Sequence, residues 1–294
     1  MIEKTKDSKP KGFIAISVAG NSDIEFVDQR EGYLTKLVLQ LLHIFYKEGG
    51  KLIYGGKLEK GGYTEMFKDI SKQYANEMNE NENVPFITNY LAWPYYNRMS
   101  DEDRNTYLQS PGFRLIKATP SEFVSEEQTV GIDSLDDVKA RFLLATSMTA
   151  MRHQAEKNTN ARILVGGKTT GFSGCMPGIM EELLIALNYK HPVYLIGGFG
   201  GAASQITRII EKKVGVSSNT LLENVMASSN YKPLWDYYKE KGIAIDYTIL
   251  DGLKIEDFDN GLTVEQNLQL FHSVDIEEIV SLVLLGLRAK SILS

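Results

Sequence analysis

The chain has 294 residues, of which 43% are hydrophobic and 24% charged, a composition typical of globular proteins. A formal net charge of −6 at pH 7 argues against nucleic-acid binding, which needs a basic surface. Cys175 is the one cysteine, so an intrachain disulfide is excluded, and no apolar run approaches the roughly 20 residues of a membrane span. We therefore expect a cytoplasmic protein that does not enter a membrane.

The first half of the chain alternates short apolar runs with helical patterns. After a polar N-terminal arm (1–12), residues 13–20 form an apolar run that ends in glycine and predicts a buried strand. Apolar residues at helical spacing over 34–45 predict a helix, which Gly49 and Gly50 end. The further elements predicted in this half are strands at 51–56, 85–94 and 113–120 and a polar helix over about 64–78.

The second half continues the alternation. Ser134 is the candidate N-cap of a long helix over 135–156, with Asp136 and Asp137 in its first turn. The other elements predicted here are strands at 161–167 and 192–198 and helices over 178–187, around 206–210 and over 276–287. Such alternation predicts a Rossmann-like three-layer α/β domain over 13–294, with a mostly parallel sheet flanked by helices.

Glycines end four of the predicted strands. The carboxyl ends of parallel strands lie at one edge of a sheet, and that edge carries the binding crevice. We therefore expect a ligand site where these glycines meet. They are Gly20, Gly55 with Gly56, Gly166 with Gly167, and Gly197 with Gly198.

The strongest functional pattern is the glycine-rich stretch over 166–182. Glycine allows close approach of a ligand, and the helix that follows offers free N–H groups and a positive dipole end to a phosphate. The alternative is a tight strand-to-helix connection without a ligand. The candidate ligand residues of this stretch are Gly166, Gly167, Lys168, Thr169, Gly171, Gly174, Pro177, Gly178 and Glu182.

Three other loops carry candidates of the same kind. Residues 197–201 form a second dense loop, in which Gly198, Phe199 and Gly200 are candidates, although it lacks the dinucleotide fingerprint. The third loop offers Gly55, Gly56 and Lys57, with a charged surface turn as the alternative. Gly20, Asn21 and Ser22 follow the first strand and fit either a ligand contact or a helix cap.

Two carboxylates and one arginine are the candidate charged groups. Glu181 and Glu182 begin a helix body, and neighbouring helical residues point about 100° apart, so we expect one of them to face the crevice. That glutamate either binds ribose hydroxyls or, in an enzyme, acts at an anomeric carbon. Arg152 either clamps a phosphate or only stabilises the end of its helix.

Other chemistries find little support. Cys175 lies in the main glycine stretch but has no histidine near it in sequence, which argues against a thiol nucleophile. The chain shows no metal-ligand spacing, no G-x-S-x-G elbow and no P-loop. We expect neither a metal nor a resident cofactor.

Taken together, these motifs resemble the SLOG superfamily. It joins the LOG phosphoribohydrolases, the DprA/Smf proteins, the ligand domains of TRPM channels, and sensor domains linked to TIR or sirtuin effectors in bacterial antiviral defence. The resemblance spans about residues 12–287 and looks closest to the defence-associated branch. It rests on YGG at 54–56, Met151-Arg152, GGK at 166–168, PGIMEE at 177–182 and YLIGGFGG at 194–201.

The chain also departs from the LOG pattern. A longer insert separates Gly167 from Glu181, Val165 stands where LOG has proline, and His153 follows Arg152 where LOG has lysine. The resemblance therefore implies a nucleotide pocket more directly than phosphoribohydrolase chemistry.

Three hypotheses follow. The first is a sensor for an NAD-derived, ADP-ribose-type or cyclic nucleotide signal, whose output passes through homo-oligomerisation or an effector such as a TIR-type partner. The second is an N-glycosidase that resembles LOG or the deoxyribosyltransferases, in which Glu181 or Glu182 is the nucleophile or acid–base. The third is a scaffold with a vestigial pocket. A hydrolase would need a second polar group, for which Asp23 is a candidate.

Overall fold

A computed structural model describes residues 12–19, 27–77, 85–123 and 138–294 of the chain. Several sequence predictions fall outside these ranges: the arm over 1–11, the loop residues Gly20, Asn21, Ser22 and Asp23, and the N-cap Ser134 with Asp136 and Asp137.

The described residues form a six-stranded sheet in which every neighbouring pair is parallel. The strand order is β4-β3-β2-β1-β5-β6. Strands of this kind are apolar along their whole length because helices cover both faces of the sheet. The strands are β1 (Phe13–Ala19), β2 (Lys51–Tyr54), β3 (Ile87–Leu91), β4 (Phe113–Lys117), β5 (Ala161–Gly166) and β6 (Val193–Ile196).

Eleven α-helices are assigned within the described ranges. They are α1 (Val27–Lys47), α2 (Tyr63–Ala75), α3 (Trp93–Asn97), α4 (Asp101–Leu108), α5 (Val138–Lys157), α6 (Gly178–Asn188), α7 (Gly201–Ile210), α8 (Ser218–Ala227), α9 (Tyr231–Glu240), α10 (Val264–His272) and α11 (Ile276–Ala289). Two 3₁₀ turns, Thr248–Gly252 and Ile255–Phe258, precede α10. None of these helices is both long and apolar enough to cross a membrane.

Helices lie on both faces of the sheet, which gives three layers. Alternate residues of the central strands separate the faces: Ile163 packs in a core that includes α1, α2, α10 and α11, whereas Leu164 packs against α6 and α7. On the second face α5 covers Ala15 and Ile53 through Met151. The Rossmann-like α/β architecture expected from the sequence is confirmed.

The order of the strands places the sheet's switch point beside β1. From β1 the chain builds outward through β2, β3 and β4 on one side, and then returns to add β5 and β6 on the other. In open parallel sheets the ligand crevice lies at such a point, outside the carboxyl ends of the strands. Gly55 and Gly167 follow β2 and β5 directly, and Gly198 is the second residue after β6, so these three glycines share the carboxyl edge as expected.

Some predicted elements are shorter, and others were missed. The strand expected over 85–94 is Ile87–Leu91, because Pro94 lies in the first turn of α3, where proline needs no backbone donor. The helices α3, α4, α8, α9 and α10 were not predicted. Polar residues dominate α4, whose fold depends on its N-cap Ser100 and three acidic first-turn residues rather than on an apolar stripe.

Candidate functional site

A crevice of about 310 Å³ opens at the switch point, between the ends of β1, β2 and β5. Strand β1 contributes Ser17, and α5 contributes Met148 and Arg152. The remaining candidates from the sequence that line this crevice are Gly55, Gly56, Lys57, Gly167, Lys168, Gly171, Gly178 and Glu182. Residues distant in the chain therefore meet at one cavity, and the sheet topology brings them together.

The glycine loop (residues 166–177) is held by its backbone. Gly166 and Gly167 have φ angles of +67° and +92°, which side-chain-bearing residues rarely adopt. Gly167 N–H donates to Ala19 O at 3.0 Å, and Gly167 O accepts from Ala202 N–H at 3.0 Å. A Cβ at Gly167 would lie 2.4 Å from Ile179 Cγ1. Glycine is thus required here for the packing of the loop on α6, whether or not a ligand binds.

Two tyrosines from the second half hold the far side of the same loop. Tyr231 donates its hydroxyl to Phe172 O at 3.2 Å, and the two rings stack with centroids 4.6 Å apart. Tyr247 donates to Cys175 O at 2.9 Å. The loop is therefore fixed before any ligand arrives, which lowers the entropy cost of binding.

Arg152 of α5 packs against the start of α6, and its side chain is 13% exposed. Its Nη1 bonds Glu181 Oε2, and its Nε lies 3.6 Å from Glu182 Oε1. A Cβ at Gly178 would lie 2.6 Å from Arg152 Nη2, so the guanidinium packs directly on the first residue of the helix. Burial alone would lower the pKa of Arg152, but Glu181 and Glu182 outweigh it and raise the pKa, so the group stays charged.

The two glutamates have different partners. Glu182 lines the crevice and lies between two arginines, 3.6 Å from Arg152 Nε and 3.7 Å from Arg162 Nη1. Glu181 bonds Thr149 Oγ1 and Arg152. Glu182 is therefore the glutamate that faces the crevice, and Glu181 neutralises Arg152 from the side.

A buried ion-pair network continues below the crevice. Arg162 of β5 donates from Nε to Glu156 Oε2 at 2.7 Å and from Nη1 to Ser17 Oγ at 2.5 Å. His191 Nδ1 donates to the other Glu156 oxygen at 2.8 Å. Burial would raise the pKa of Glu156, but Arg162 and His191 outweigh it and hold the pKa below its ordinary value. This network links the crevice carboxylate to the sheet.

Tyr54, the last residue of β2, also lines the crevice. Burial raises the pKa of Tyr54 well above its ordinary value, and the negative charge of Glu182 raises it further. The phenol is consequently neutral at physiological pH and can act as a hydrogen-bond donor.

The charge of the crevice is mixed rather than strongly positive. Lys57, Lys168 and Arg152 bring positive charge, whereas Glu59 and Glu182 bring negative charge. The positive charge of Arg152 is shared by two carboxylates, Glu181 and Glu182.

Other predicted residues lie elsewhere. Thr169 and Pro177 line a smaller cavity of about 180 Å³, which shares Gly171 with the crevice. Gly198 and Gly200 line a separate cavity of about 420 Å³ beside α7 and the end of α10. A Cβ at Gly198 would lie 2.1 Å from Ser273 O, so close packing against that segment explains the glycine.

Three more candidates have structural surroundings. Gly166 lies against Ala19, where a Cβ would be 2.7 Å from the carbonyl oxygen. Gly174 lies beside Ala145 of α5, and Phe199 is buried in the core. Gly20, Asn21 and Ser22 lie outside the described residues.

The cysteine of the glycine loop is a buried thiol. Burial raises the pKa of Cys175 to about 12, so the reactive thiolate is scarce at neutral pH. Within the described part of the chain, no group of three histidine, cysteine or acidic side chains is arranged to hold a metal ion.

Sequence reasoning missed several residues of the site. Ser17, Arg162 and Tyr54 lie within strands. The strands were predicted from apolar runs, and that pattern does not single out individual polar residues within them. The one available signal was the presence of an arginine at the start of an otherwise apolar strand, since a buried arginine needs a carboxylate partner.

The chain is similar to a known protein family over most of its length. A family model described as SLOG cluster2 matches residues 9–270 of the chain. A search of curated proteins found no match.

Proposed function

Since this chain belongs to the SLOG cluster2 family, we propose that it binds a nucleotide-derived small molecule in the 310 Å³ crevice and releases it unchanged. One observation carries the proposal: a glycine loop, a buried arginine and a carboxylate converge at the switch point of a parallel sheet. A phosphate binds to a backbone that can approach it closely and to a cation, and ribose hydroxyls bind to a hydrogen-bond acceptor.

Each part of the ligand has a partner in the crevice. The phosphate would lie against the glycine loop and the first turn of α6, near Lys168 and Arg152. The ribose hydroxyls would donate to Glu182, and Tyr54 would donate to a ligand oxygen or ring nitrogen. ADP-ribose, NAD-type molecules and cyclic nucleotides all combine these groups.

The same wall supports a second candidate, cleavage of an N-glycosidic bond. Glu182 is a carboxylate at the crevice wall beside a neutral phenol, the two kinds of group that can stabilise an anomeric centre and donate a proton. Binding alone remains our first proposal, since both carboxylates also have structural partners in the two arginines.

For the biological setting, the motif resemblance supports a sensor in bacterial antiviral defence. Such a sensor would transmit binding through a homo-oligomer or through an effector such as a TIR-type protein. Ligand-dependent change in oligomeric state would support this part of the proposal.

Binding without turnover is the expected result when the protein is incubated with AMP, NAD, ADP-ribose and cyclic ADP-ribose. Calorimetry should show saturable binding of at least one of them, and chromatography should recover it intact. Affinity should fall as salt rises, because screening weakens the contacts with phosphate. Release of free base would instead establish the glycosidase, and the absence of binding to all four would contradict both candidates.

A further inference from the structure

A second large cavity lies next to the crevice, on the side of β2 and β3. It measures about 500 Å³ and is formed by the 57–60 loop with α2, α3 and α4. Its lining combines charged side chains, Lys68 and Glu65 on α2, Arg98 after α3 and Asp103 on α4, with apolar and aromatic ones, which are Leu58, Leu91, Tyr95, Met99 and Tyr107. The proposed function makes no use of this cavity.

The two cavities share a wall. Lys57 and Glu59 line both cavities, so the loop that carries them forms part of the wall of each. Lys57 Nζ lies 5.0 Å from the centroid of the Tyr95 ring and 3.8 Å from Glu59 Oε1. The ammonium group of Lys57 therefore lies between the two cavities. A group that links the two parts of a ligand would pass beside it.

The size of the crevice also points to a second compartment. Pockets for small ligands measure roughly 300–1,000 Å³. The crevice, at about 310 Å³, is at the lower limit and suits a single nucleotide unit. A larger nucleotide derivative would need more room, and the adjoining 500 Å³ supplies it.

The charged side chains of the second cavity suit a sugar phosphate. Lys68 is a largely covered cation, with its side chain 17% exposed and its Nζ 5.3 Å from the centroid of Tyr107. Glu65 and Asp103 supply carboxylate oxygens, which accept hydrogen bonds from hydroxyl groups. A phosphate beside Lys68 and a ribose beside these carboxylates would satisfy both kinds of group.

We propose that the 500 Å³ cavity binds the second half of a two-part ligand, a ribose with its phosphate, and that this phosphate forms a diphosphate link beside Lys57 with the phosphate of the nucleotide in the crevice. The inference rests on the proposed function and selects from it the class of nucleoside diphosphate sugars, of which ADP-ribose is the simplest probe.

The experiment compares AMP with ADP-ribose on three proteins. Wild type should bind ADP-ribose more tightly than AMP. Lys68→Met should weaken ADP-ribose binding about tenfold, as expected for loss of a charge-assisted contact, and leave AMP binding unchanged. Lys72→Met is the matched control, since Lys72 is an exposed lysine one turn further along α2, and it should change neither affinity.

Arg98→Gln provides a second variant on a different element and should reproduce the selective loss. The inference is overturned if wild type binds the two ligands equally, if Lys68→Met leaves ADP-ribose binding unchanged, or if it weakens both ligands to the same degree. In each of these cases AMP binding still supports the proposed function. If wild type binds neither ligand, the proposed function and this inference both fail.

Discussion

Arg162→Met is expected to lower the free energy of unfolding by about 3–5 kcal/mol, the cost of breaking a buried ion pair from one side. The Arg162 side chain is 4% exposed and Glu156 is fully buried, so the substitution leaves a buried carboxylate that has lost its arginine and keeps His191. It also removes the donor to Ser17 at the floor of the crevice. Urea-induced unfolding of wild type and variant measures the difference.

Two further variants make this result specific. Arg288→Met is the matched surface control, because Arg288 pairs with Glu48 at 2.9 Å with its side chain 49% exposed, and exposed pairs contribute only about 0–1 kcal/mol. The double variant Glu156→Gln with Arg162→Met should recover part of the loss, since it removes the buried carboxylate charge that Arg162 would otherwise neutralise. Equal losses for Arg162→Met and Arg288→Met would show that the network is not the buried structure described above.

The second large effect concerns the crevice carboxylate. Glu182→Gln should weaken AMP binding by about 1–3 kcal/mol, the range for loss of a charge-assisted hydrogen bond to the ribose hydroxyls. The penalty should disappear with 2′,3′-dideoxy-AMP, which lacks those hydroxyls. A penalty that is the same for both ligands would mean that Glu182 does not contact ribose.

Glu181→Gln tests the neighbouring glutamate, and we expect its effects on stability and on AMP binding to differ from those of Glu182→Gln. Glu181 neutralises Arg152, so its substitution should lower stability while leaving AMP binding equal or tighter. If the protein is a glycosidase, Glu182→Gln should abolish base release while substrate binding persists, because the lost interaction is then one made in the transition state. Wild-type behaviour of both variants in all assays would place the site elsewhere.

The fold was largely predictable from the chain because its signals are local. Apolar runs such as residues 13–19 and 161–166 can be satisfied only by burial on two faces, and the glycines after them mark the strand ends. The helices α8 and α9 were not predicted, because they are stabilised by packing on other elements. Leu234 of α9, for example, is fully buried against α5 and the glycine loop, a contact that depends on tertiary structure.

The site was predictable only in part, for a related reason. Glycine, lysine and helix-start patterns predicted Gly167, Lys168 and Glu182, which line the crevice, because those residues lie in one contiguous stretch. The pairing of Arg152 with Glu181, and of Arg162 with Glu156, depends on which elements the sheet brings together. The loop at 197–201 has the same glycine density, but close packing against Ser273 accounts for Gly198.

A crystal structure of the protein with ADP-ribose would test the central claim most directly. We predict an intact ligand with a phosphate against residues 167–178, near Arg152, and a ribose at Glu182. The claim would be contradicted by ligand density confined to the 420 Å³ cavity beside α7, or by a cleaved product in the crevice.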